Sequence, residues 1–138
     1  MTLDPQVLEE LDAYVEHVNV TVESPEATAA LFVELFGWHI RWTGGAIDAG
    51  RSVHVGTDDS YVALYTGPDG KPQDAAHTSY RQKGGLNHIG VVVDDLDAVE
   101  GAVKARGYDT HSHADYEPGR RFYFHEENGV EIEVVSYA

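Results

Sequence analysis

Cysteine is absent from this 138-residue chain. Its absence excludes disulfide bonds, thiolate metal ligands and a cysteine nucleophile, so any metal must be held by nitrogen and oxygen ligands. Basic residues are scarce, because nine Lys and Arg stand against 24 Asp and Glu, giving a formal net charge of −15. A surface this acidic repels nucleic-acid phosphates and anionic lipid headgroups. We therefore expect a small-molecule partner, and neither nucleic acid nor a membrane.

Long hydrophobic runs are also missing. No segment approaches the roughly 20 apolar residues that span a bilayer. The N-terminal segment MTLDPQVLEELDAY contains no basic region followed by an apolar stretch, as a secretory signal would. We therefore expect a cytoplasmic protein. The chain length and the hydrophobic content of 42% predict a single globular domain over residues 1–138.

The sequence contains one internal repeat. Residues 17–24 (HVNVTVES) align with residues 88–95 (HIGVVVDD), and both are apolar runs that predict a strand. A helical pattern follows each run, over 25–36 in the first copy and over 96–105 in the second. Each copy therefore begins with a strand and a helix.

The predicted helices carry recognisable start and stop signals. Ser24 and Asp95 stand at the N-cap positions, where a side-chain oxygen can accept a hydrogen bond from the first turn. Gly37 and Gly107 stand just past the last helical residues, where a left-handed backbone ends a helix. The same signals at equivalent places support the repeat.

The second half of each copy also matches. Residues 50–55 (GRSVHV) align with residues 119–124 (GRRFYF), and both lead through a polar turn to a final strand, predicted over 61–66 and 130–137. Asn128-Gly129 is a typical hairpin signal. After each helix an aromatic residue, Trp38 or Tyr108, opens a further strand. Each copy therefore reads strand, helix, strand, strand, strand, which is a βαβββ module. The predicted fold is α+β, with two such modules related by a pseudo-twofold axis in a curved open barrel around a cavity.

The domain divides into four segments. A short amphipathic helix is predicted over 4–13, ahead of module one at 14–66. Turn and loop chemistry, beginning GPDGKPQ, indicates a linker over 67–85. Module two then occupies 86–138.

Two histidines hold equivalent positions in the repeat. His17 and His88 each open the first strand of a module, and pseudo-twofold symmetry would bring them together across one cavity. Glu131 and Glu133 lie on one face of the last strand, where a carboxylate could complete a metal site. Taken singly, each histidine is more often a hydrogen-bonded structural residue, and the two glutamates are equally compatible with solvent exposure.

These residues resemble the vicinal-oxygen-chelate superfamily, which includes glyoxalase I, bleomycin-resistance proteins, extradiol dioxygenases, methylmalonyl-CoA epimerase and fosfomycin-resistance transferases. The resemblance covers residues 14–138 and is most specific over 121–135 (RFYFHEENGVEIEVV). It implies that His17, His88 and Glu133 bind a divalent metal ion, with Fe, Mn, Ni and Zn as candidates.

One departure from the four-ligand members concerns the last strand of module one. Glyoxalase I and the epimerase take a fourth ligand there, where this chain has Ala63 or Leu64 depending on the alignment. Neither side chain binds a metal. The remaining set of two histidines and one carboxylate leaves about three positions of an octahedral ion open. In this respect the chain resembles extradiol dioxygenases and fosfomycin transferases.

Two further residues are candidates for catalytic roles. Tyr123 stands ten residues before Glu133, where both of those families carry a tyrosine beside the substrate. A tight turn at Asn128-Gly129 would direct Tyr123 away from Glu133, whereas a longer turn over 126–130 would place both on one face. His54 aligns with Tyr123 across the repeat and is either a base near the metal or a packed strand residue.

Other candidates have ordinary structural explanations. His111 and His113 form a His-x-His pattern, but the polar segment 110–118 is interpreted as an exposed loop. Two explanations stay open for each of the remaining candidates. Arg120 and Arg121 either bind substrate or keep the surface soluble. The aromatic residues either line the substrate pocket or pack in the core: Trp38, Trp42, Tyr61 and Tyr65.

The resemblance implies a metal-dependent lyase, isomerase or ring-cleaving dioxygenase that chelates a small substrate through vicinal oxygens. The alternative is a metal-free protein that sequesters a small molecule, as bleomycin-resistance members do. We expect a homodimer. Two arrangements of the modules stay open. Either the two modules of one chain pair with each other, or His17 of one subunit joins His88 and Glu133 of the other. The linker length is compatible with both.

Overall fold

The computed structural model describes residues 13–75, 79–116 and 119–138. Apart from its last position, the helix predicted over 4–13 lies outside the described residues. The strands and helices are β1 (His17–Thr21), α1 (Pro25–Phe36), β2 (His39–Gly45), β3 (Arg51–Gly56), β4 (Tyr61–Thr66), β5 (Ile89–Val92), α2 (Leu96–Ala105), β6 (Thr110–Tyr116), β7 (Gly119–His125) and β8 (Glu131–Ser136). No helix in the described ranges is long and apolar enough to cross a membrane.

The eight strands form two sheets with the same topology. One sheet has the order β1-β4-β3-β2 and the other the order β5-β8-β7-β6. In each sheet the first strand of the module runs parallel to the last, and the other neighbours are antiparallel. Within the described part of the chain the two sheets are not hydrogen-bonded to each other. The predicted α+β fold of two open βαβββ modules is confirmed.

The predicted signals define the helix ends. Ser24 Oγ accepts a hydrogen bond from the Ala27 amide at 3.1 Å, and Asp95 Oδ1 accepts one from the Ala98 amide at 3.0 Å. Gly37 ends α1 with φ of 69°. Gly107, with φ of 91°, follows the last turn of α2. Both helices therefore have the bounds predicted from their caps.

Each helix covers one face of its sheet. Alternate residues of the central strands are buried against α1 in the first module and against α2 in the second: Val53, Val55, Val62 and Leu64, and Phe122, Phe124, Ile132 and Val134. All of these residues belong to one continuous apolar core. The period-two alternation thus sends the remaining side chains to the opposite face of each sheet.

The faces without helices carry most of the polar and aromatic candidates. We call the helix-free face of the first sheet the first polar face; it carries His17, Trp42, His54 and Tyr61. We call the corresponding face of the second sheet the second polar face, with His88, His111, Tyr123, Glu131 and Glu133.

The segment predicted as an exposed loop over 110–118 is instead largely a strand. β6 occupies Thr110–Tyr116 and pairs with β7. The pairing register shifts between His111 and Ala114, and Ser112 in the shifted part has φ of 55°. Hydrogen bonding to β7 therefore stabilises a strand whose composition alone is too polar to predict one.

Contacts between the modules involve α1 and the β7–β8 turn. Asn128 Oδ1 accepts a hydrogen bond from the Glu23 amide at 2.9 Å, and Asn128 Nδ2 donates one to Thr28 Oγ1 at 3.2 Å. Arg106 after α2 forms an ion pair with Glu34 in α1. The described part of the linker contains one turn of 3-10 helix at Ser79–Arg81.

Candidate functional site

The turn between β7 and β8 decides which side chains share the second polar face. The Glu126 amide donates to the Val130 carbonyl at 3.0 Å, so the turn spans these two residues. This is the longer of the two predicted turns. Its register places Tyr123 directly opposite Glu133, and both side chains lie on the second polar face.

A buried carboxylate organises that turn. Glu126 is 3% exposed, and its Oε1 accepts hydrogen bonds from the amides of Asn128 at 2.7 Å and Val130 at 2.9 Å. Its Oε2 accepts a third from Asn128 Nδ2 at 2.7 Å. Burial raises the pKa of Glu126, and these hydrogen bonds oppose that rise. Glu126 thus holds the conformation that brings Tyr123 opposite Glu133.

His88 lies immediately before β5, at one edge of the second polar face. Its Nε2 is 3.2 Å from Glu133 Oε1. Its Nδ1 is 3.1 Å from the Tyr80 hydroxyl and 3.5 Å from Glu131 Oε1. Tyr80 also donates a hydrogen bond to Glu131, which raises the pKa of Tyr80 to about 12. One imidazole nitrogen is therefore anchored, and the other faces the proposed carboxylate ligand.

The Glu133 carboxylate borders an open space on the side of Gly90 and the guanidinium group of Arg121 on the other side. Arg121 donates to Glu133 Oε2 at 2.9 Å, and both side chains are only 13% exposed. Gly90 pairs with Glu133 across the sheet, and a Cβ atom on Gly90 would lie 3.8 Å from Glu133 Oε1. Oε1 therefore faces a space that His88 shares, while Oε2 is held by the guanidinium group.

Tyr123 borders the same space. Its ring meets the His88 ring edge-on, with 5.4 Å between the centroids. Burial raises the pKa of Tyr123, and the charge of Glu133 raises it further. The phenol therefore stays protonated at neutral pH and can donate a hydrogen bond.

The first polar face carries a stack of rings. His17 stacks on Tyr61 at 4.8 Å, Tyr61 stacks on His54 at 4.6 Å, and His54 meets Trp42 at 4.8 Å between centroids. The Arg41 guanidinium group lies over Tyr61, 4.5 Å from the ring centroid. Burial lowers the pKa of His54, with further lowering by the charges of His17 and Arg41. His54 is therefore a neutral imidazole near pH 7.

Strand register identifies the counterpart of Glu133 in module one. Glu133 pairs with Gly90 and Tyr123, and Ala63 pairs with the equivalent residues Asn19 and His54. Ala63 rather than Leu64 therefore occupies the position of the fourth ligand. The same pairing makes His54 the counterpart of Tyr123, as the sequence repeat predicts.

Within the described part of a single chain, the three proposed ligands are not all gathered at one point. His88 and Glu133 are neighbours, but His17 lies on the first polar face, where its Nδ1 is 2.9 Å from Glu16 Oε1. The group whose ligand atoms all lie within 4.8 Å of one another is His111, His125 and Glu131.

That second group was not predicted as a site. The His-x-His pattern was the available signal, but it does not reveal that His125 and Glu131 pair across β7 and β8 next to His111. Tyr80 in the linker was also missed, because its contact with His88 depends on the path of the linker.

The other sequence candidates have structural partners. Trp38 packs against Phe32 and Phe36, the Tyr65 hydroxyl donates to the Ile47 carbonyl, His113 lies beside Glu100, and Arg120 pairs with Asp97.

A cleft of about 620 Å³ opens beside His88. It lies between β1, the linker and the start of β8, and its wall includes Asn19, Thr21, Tyr80 and Glu131. A small molecule in this cleft would contact the Nδ1 side of His88, away from Glu133 Oε1.

Duplicated βαβββ modules with a histidine and a glutamate on neighbouring strands define a vicinal-oxygen-chelate fold. The sequence agrees with this class, because the family model described as Glyoxalase/Bleomycin resistance protein/Dioxygenase superfamily matches residues 16–124. The chain belongs to this superfamily. Among curated proteins, none matches the chain by sequence.

Solved structures share the fold at low sequence identity. A glyoxylase/bleomycin resistance protein/dioxygenase domain from Frankia sp. EAN1pec is 20% identical, with a TM-score of 0.73 over 90% of this chain and 97% of that one. A FosX variant from Listeria monocytogenes, complexed with Mn(II) and 1S,2S-dihydroxypropylphosphonic acid, is 16% identical, with a TM-score of 0.66 over 90% and 92%. TnmS3, an antibiotic binding protein from Streptomyces sp. CB03234, is 19% identical, with a TM-score of 0.65 over 92% and 98%.

Proposed function

We propose that this protein is a metal-dependent enzyme that holds a divalent ion on His17, His88 and Glu133 and binds a small substrate through two adjacent oxygens. The observation that carries the proposal is the 3.2 Å approach of His88 Nε2 to Glu133 Oε1, with His88 Nδ1 anchored by Tyr80. A metal-binding histidine typically has its second nitrogen fixed by such a partner. Fe, Mn, Ni and Zn all suit this nitrogen and oxygen donor set.

The third ligand comes, in this proposal, from a second copy of the chain. His17 is 44% exposed on the first polar face, and the modules of one chain pack through their shared core and α1. Pairing the first polar face of one copy with the second polar face of its partner would bring His17 to His88 and Glu133. The resulting homodimer would hold two equivalent sites.

When bound, the ion would act as a Lewis acid on two substrate oxygens. Tyr123, held protonated by its raised pKa, would donate a hydrogen bond to the oxyanion that develops. His54, held neutral by its lowered pKa, would accept a proton from substrate on the opposite wall. These roles fit a lyase, an isomerase or a ring-cleaving dioxygenase acting in the cytoplasm.

Metal titration tests the ligand set. The number of Mn²⁺ or Zn²⁺ ions bound, measured by calorimetry on chelator-treated protein, should fall by one per chain in His17→Ala, His88→Ala and Glu133→Gln. His39→Ala is the matched control, because His39 is an exposed histidine beside Asp58 on the first module. Binding that is unchanged in all three ligand variants would refute the proposal.

A mixing experiment tests whether the site is shared between subunits. His17→Ala and His88→Ala chains, unfolded together and refolded, should form heterodimers in which one of the two sites has all its ligands. Because random pairing makes half of the dimers heterodimers, about a quarter of the wild-type sites should return. No recovery, with wild-type recovery in a parallel refolding, would place all three ligands in one chain.

The alternative is a metal-free binding protein, and the ring stack on the first polar face favours it. Trp42 is 48% exposed, and the stacked Tyr61 and His54 rings extend the surface it offers to a flat aromatic ligand. Quenching of tryptophan fluorescence by bleomycin, unaffected by EDTA and lost in Trp42→Ala, would support this function. Quenching that depends on added metal would support the enzyme.

A further inference from the structure

We propose a second metal site, formed by His111, His125 and Glu131. Each residue offers one ligand atom within 4.8 Å of the other two. His111 Nε2 is 3.2 Å from His125 Nδ1, and His125 Nε2 is 3.2 Å from Glu131 Oε2. Two imidazoles and one carboxylate suit divalent transition ions such as Zn²⁺, Ni²⁺ and Cu²⁺, whereas Mg²⁺ and Ca²⁺ prefer oxygen ligands alone.

The three residues are held together by neighbouring strands. His125 ends β7 and pairs directly with Glu131 at the start of β8. His111 lies on β6 beside them, just before the register shift, and its ring stacks on that of His125 with 5.1 Å between the centroids. A site on strands is better ordered than one on loops, so little conformational entropy would be lost on metal binding.

Hydrogen bonding leaves the correct nitrogen of His111 available. His111 Nδ1 is 2.9 Å from Ser112 Oγ, which can accept its proton. In that tautomer His111 Nε2 keeps its lone pair and points to His125. Ser112 has the left-handed φ of 55°, so the bulge positions this hydroxyl group. A metal ion bound to His111 Nε2 would take the place of the hydrogen bond between the two rings.

Glu131 has a charge that no neighbouring cation neutralises. In the described ranges, neither Lys nor Arg forms an ion pair with Glu131, whereas Arg121 pairs with Glu133. Glu131 is 13% exposed, and its other oxygen accepts the Tyr80 hydroxyl. A largely buried carboxylate beside two imidazoles, on a chain of net charge −15, attracts a cation.

The second site shares no ligand with the site of the proposed function. His88 and Glu133 lie farther along the face, and Glu131 contacts His88 only at Nδ1, away from Glu133. The two sites are therefore separable by mutation of the two histidines that belong only to the second.

Zn²⁺ titration by calorimetry, on chelator-treated full-length protein, tests this site. His111→Ala and His125→Ala should each remove one Zn²⁺ per chain from the high-affinity phase. His39→Ala should leave the isotherm unchanged. Circular dichroism and the urea midpoint should match wild type, since both mutated side chains border solvent.

The outcomes separate the two proposals. If His88→Ala loses a Zn²⁺ equivalent and His111→Ala does not, the second site is refuted and the first is supported. If His111→Ala and His125→Ala lose one and His88→Ala does not, the second site holds without the first. An equal loss in His39→Ala would indicate nonspecific binding to surface histidines and refute the second site.

Discussion

Replacement of Glu126 by alanine should destabilise the protein and disturb the second polar face. Its carboxylate is 3% exposed and accepts three hydrogen bonds within the β7–β8 turn, from the amides of Asn128 and Val130 and from the Asn128 side chain. Alanine removes all three hydrogen bonds at once. The turn that places Tyr123 opposite Glu133 then loses its internal support.

The size of the effect depends on the donors left behind. A buried donor without a partner costs about 1–3 kcal/mol. Asn128 is partly exposed, so water can reach some of the vacated positions. Loss of the Glu126 charge itself returns part of the cost, because the carboxylate was desolvated. We expect a net loss of about 2–4 kcal/mol in the free energy of unfolding.

Urea denaturation at fixed protein concentration measures this loss. Glu127→Ala is the control, because Glu127 is adjacent but exposed and should change stability by less than about 0.5 kcal/mol. The pKa of Glu126 is raised on folding, so the folded state binds more protons than the unfolded state as Glu126 titrates. The difference in free energy of unfolding between wild type and Glu126→Ala should therefore shrink as the pH rises from the ordinary glutamate pKa to the raised pKa of Glu126. Equal stability of Glu126→Ala and Glu127→Ala would refute this account of the turn.

Three further predictions concern separate parts of the molecule. Gly90→Ala should keep both stability and metal binding, because its Cβ would approach Glu133 Oε1 no closer than 3.8 Å, whereas Gly90→Leu should fold but lose calorimetric Mn²⁺ binding. Asn128→Ala should lower the free energy of unfolding in urea by about 1–3 kcal/mol, because the Glu23 amide and Glu126 both lose a partner. Ser24→Ala should cost about 1 kcal/mol in the same assay through the lost N-cap of α1, and Ser24→Asn should restore most of it.

Local rules were sufficient to predict most elements of the fold. α1 and α2 have the predicted bounds because N-caps and following glycines mark both ends of each helix. β4 matches its predicted range, and β8 differs from its own by one residue at each end. In these segments the hydrophobic period and the cap chemistry agree, so the sequence alone defines the element.

Three features could not be predicted in the same way. The sequence of the β7–β8 turn is compatible with two registers. The longer turn is stabilised by the three hydrogen bonds that the buried Glu126 carboxylate accepts. β6 is too polar for its strand to be evident without its partner. The contact of Tyr80 with His88 requires the linker to return to the second sheet. The strand at β6 and the Tyr80 contact depend on tertiary pairing rather than on local propensity.

The two modules differ at the positions proposed to bind the metal ion and the substrate. The pairing that gives module two Glu133 and Tyr123 gives module one Ala63 and His54. A symmetric duplication would supply a histidine and a carboxylate from each half, so that either polar face could begin to bind an ion alone. Here the first polar face offers His17 among stacked rings without a carboxylate on the last strand, so in the proposed site His17 would complete a ligand set begun by His88 and Glu133. In the proposed enzyme, the aromatic first face would contact the substrate and supply His17, and the charged second face would supply His88 and Glu133.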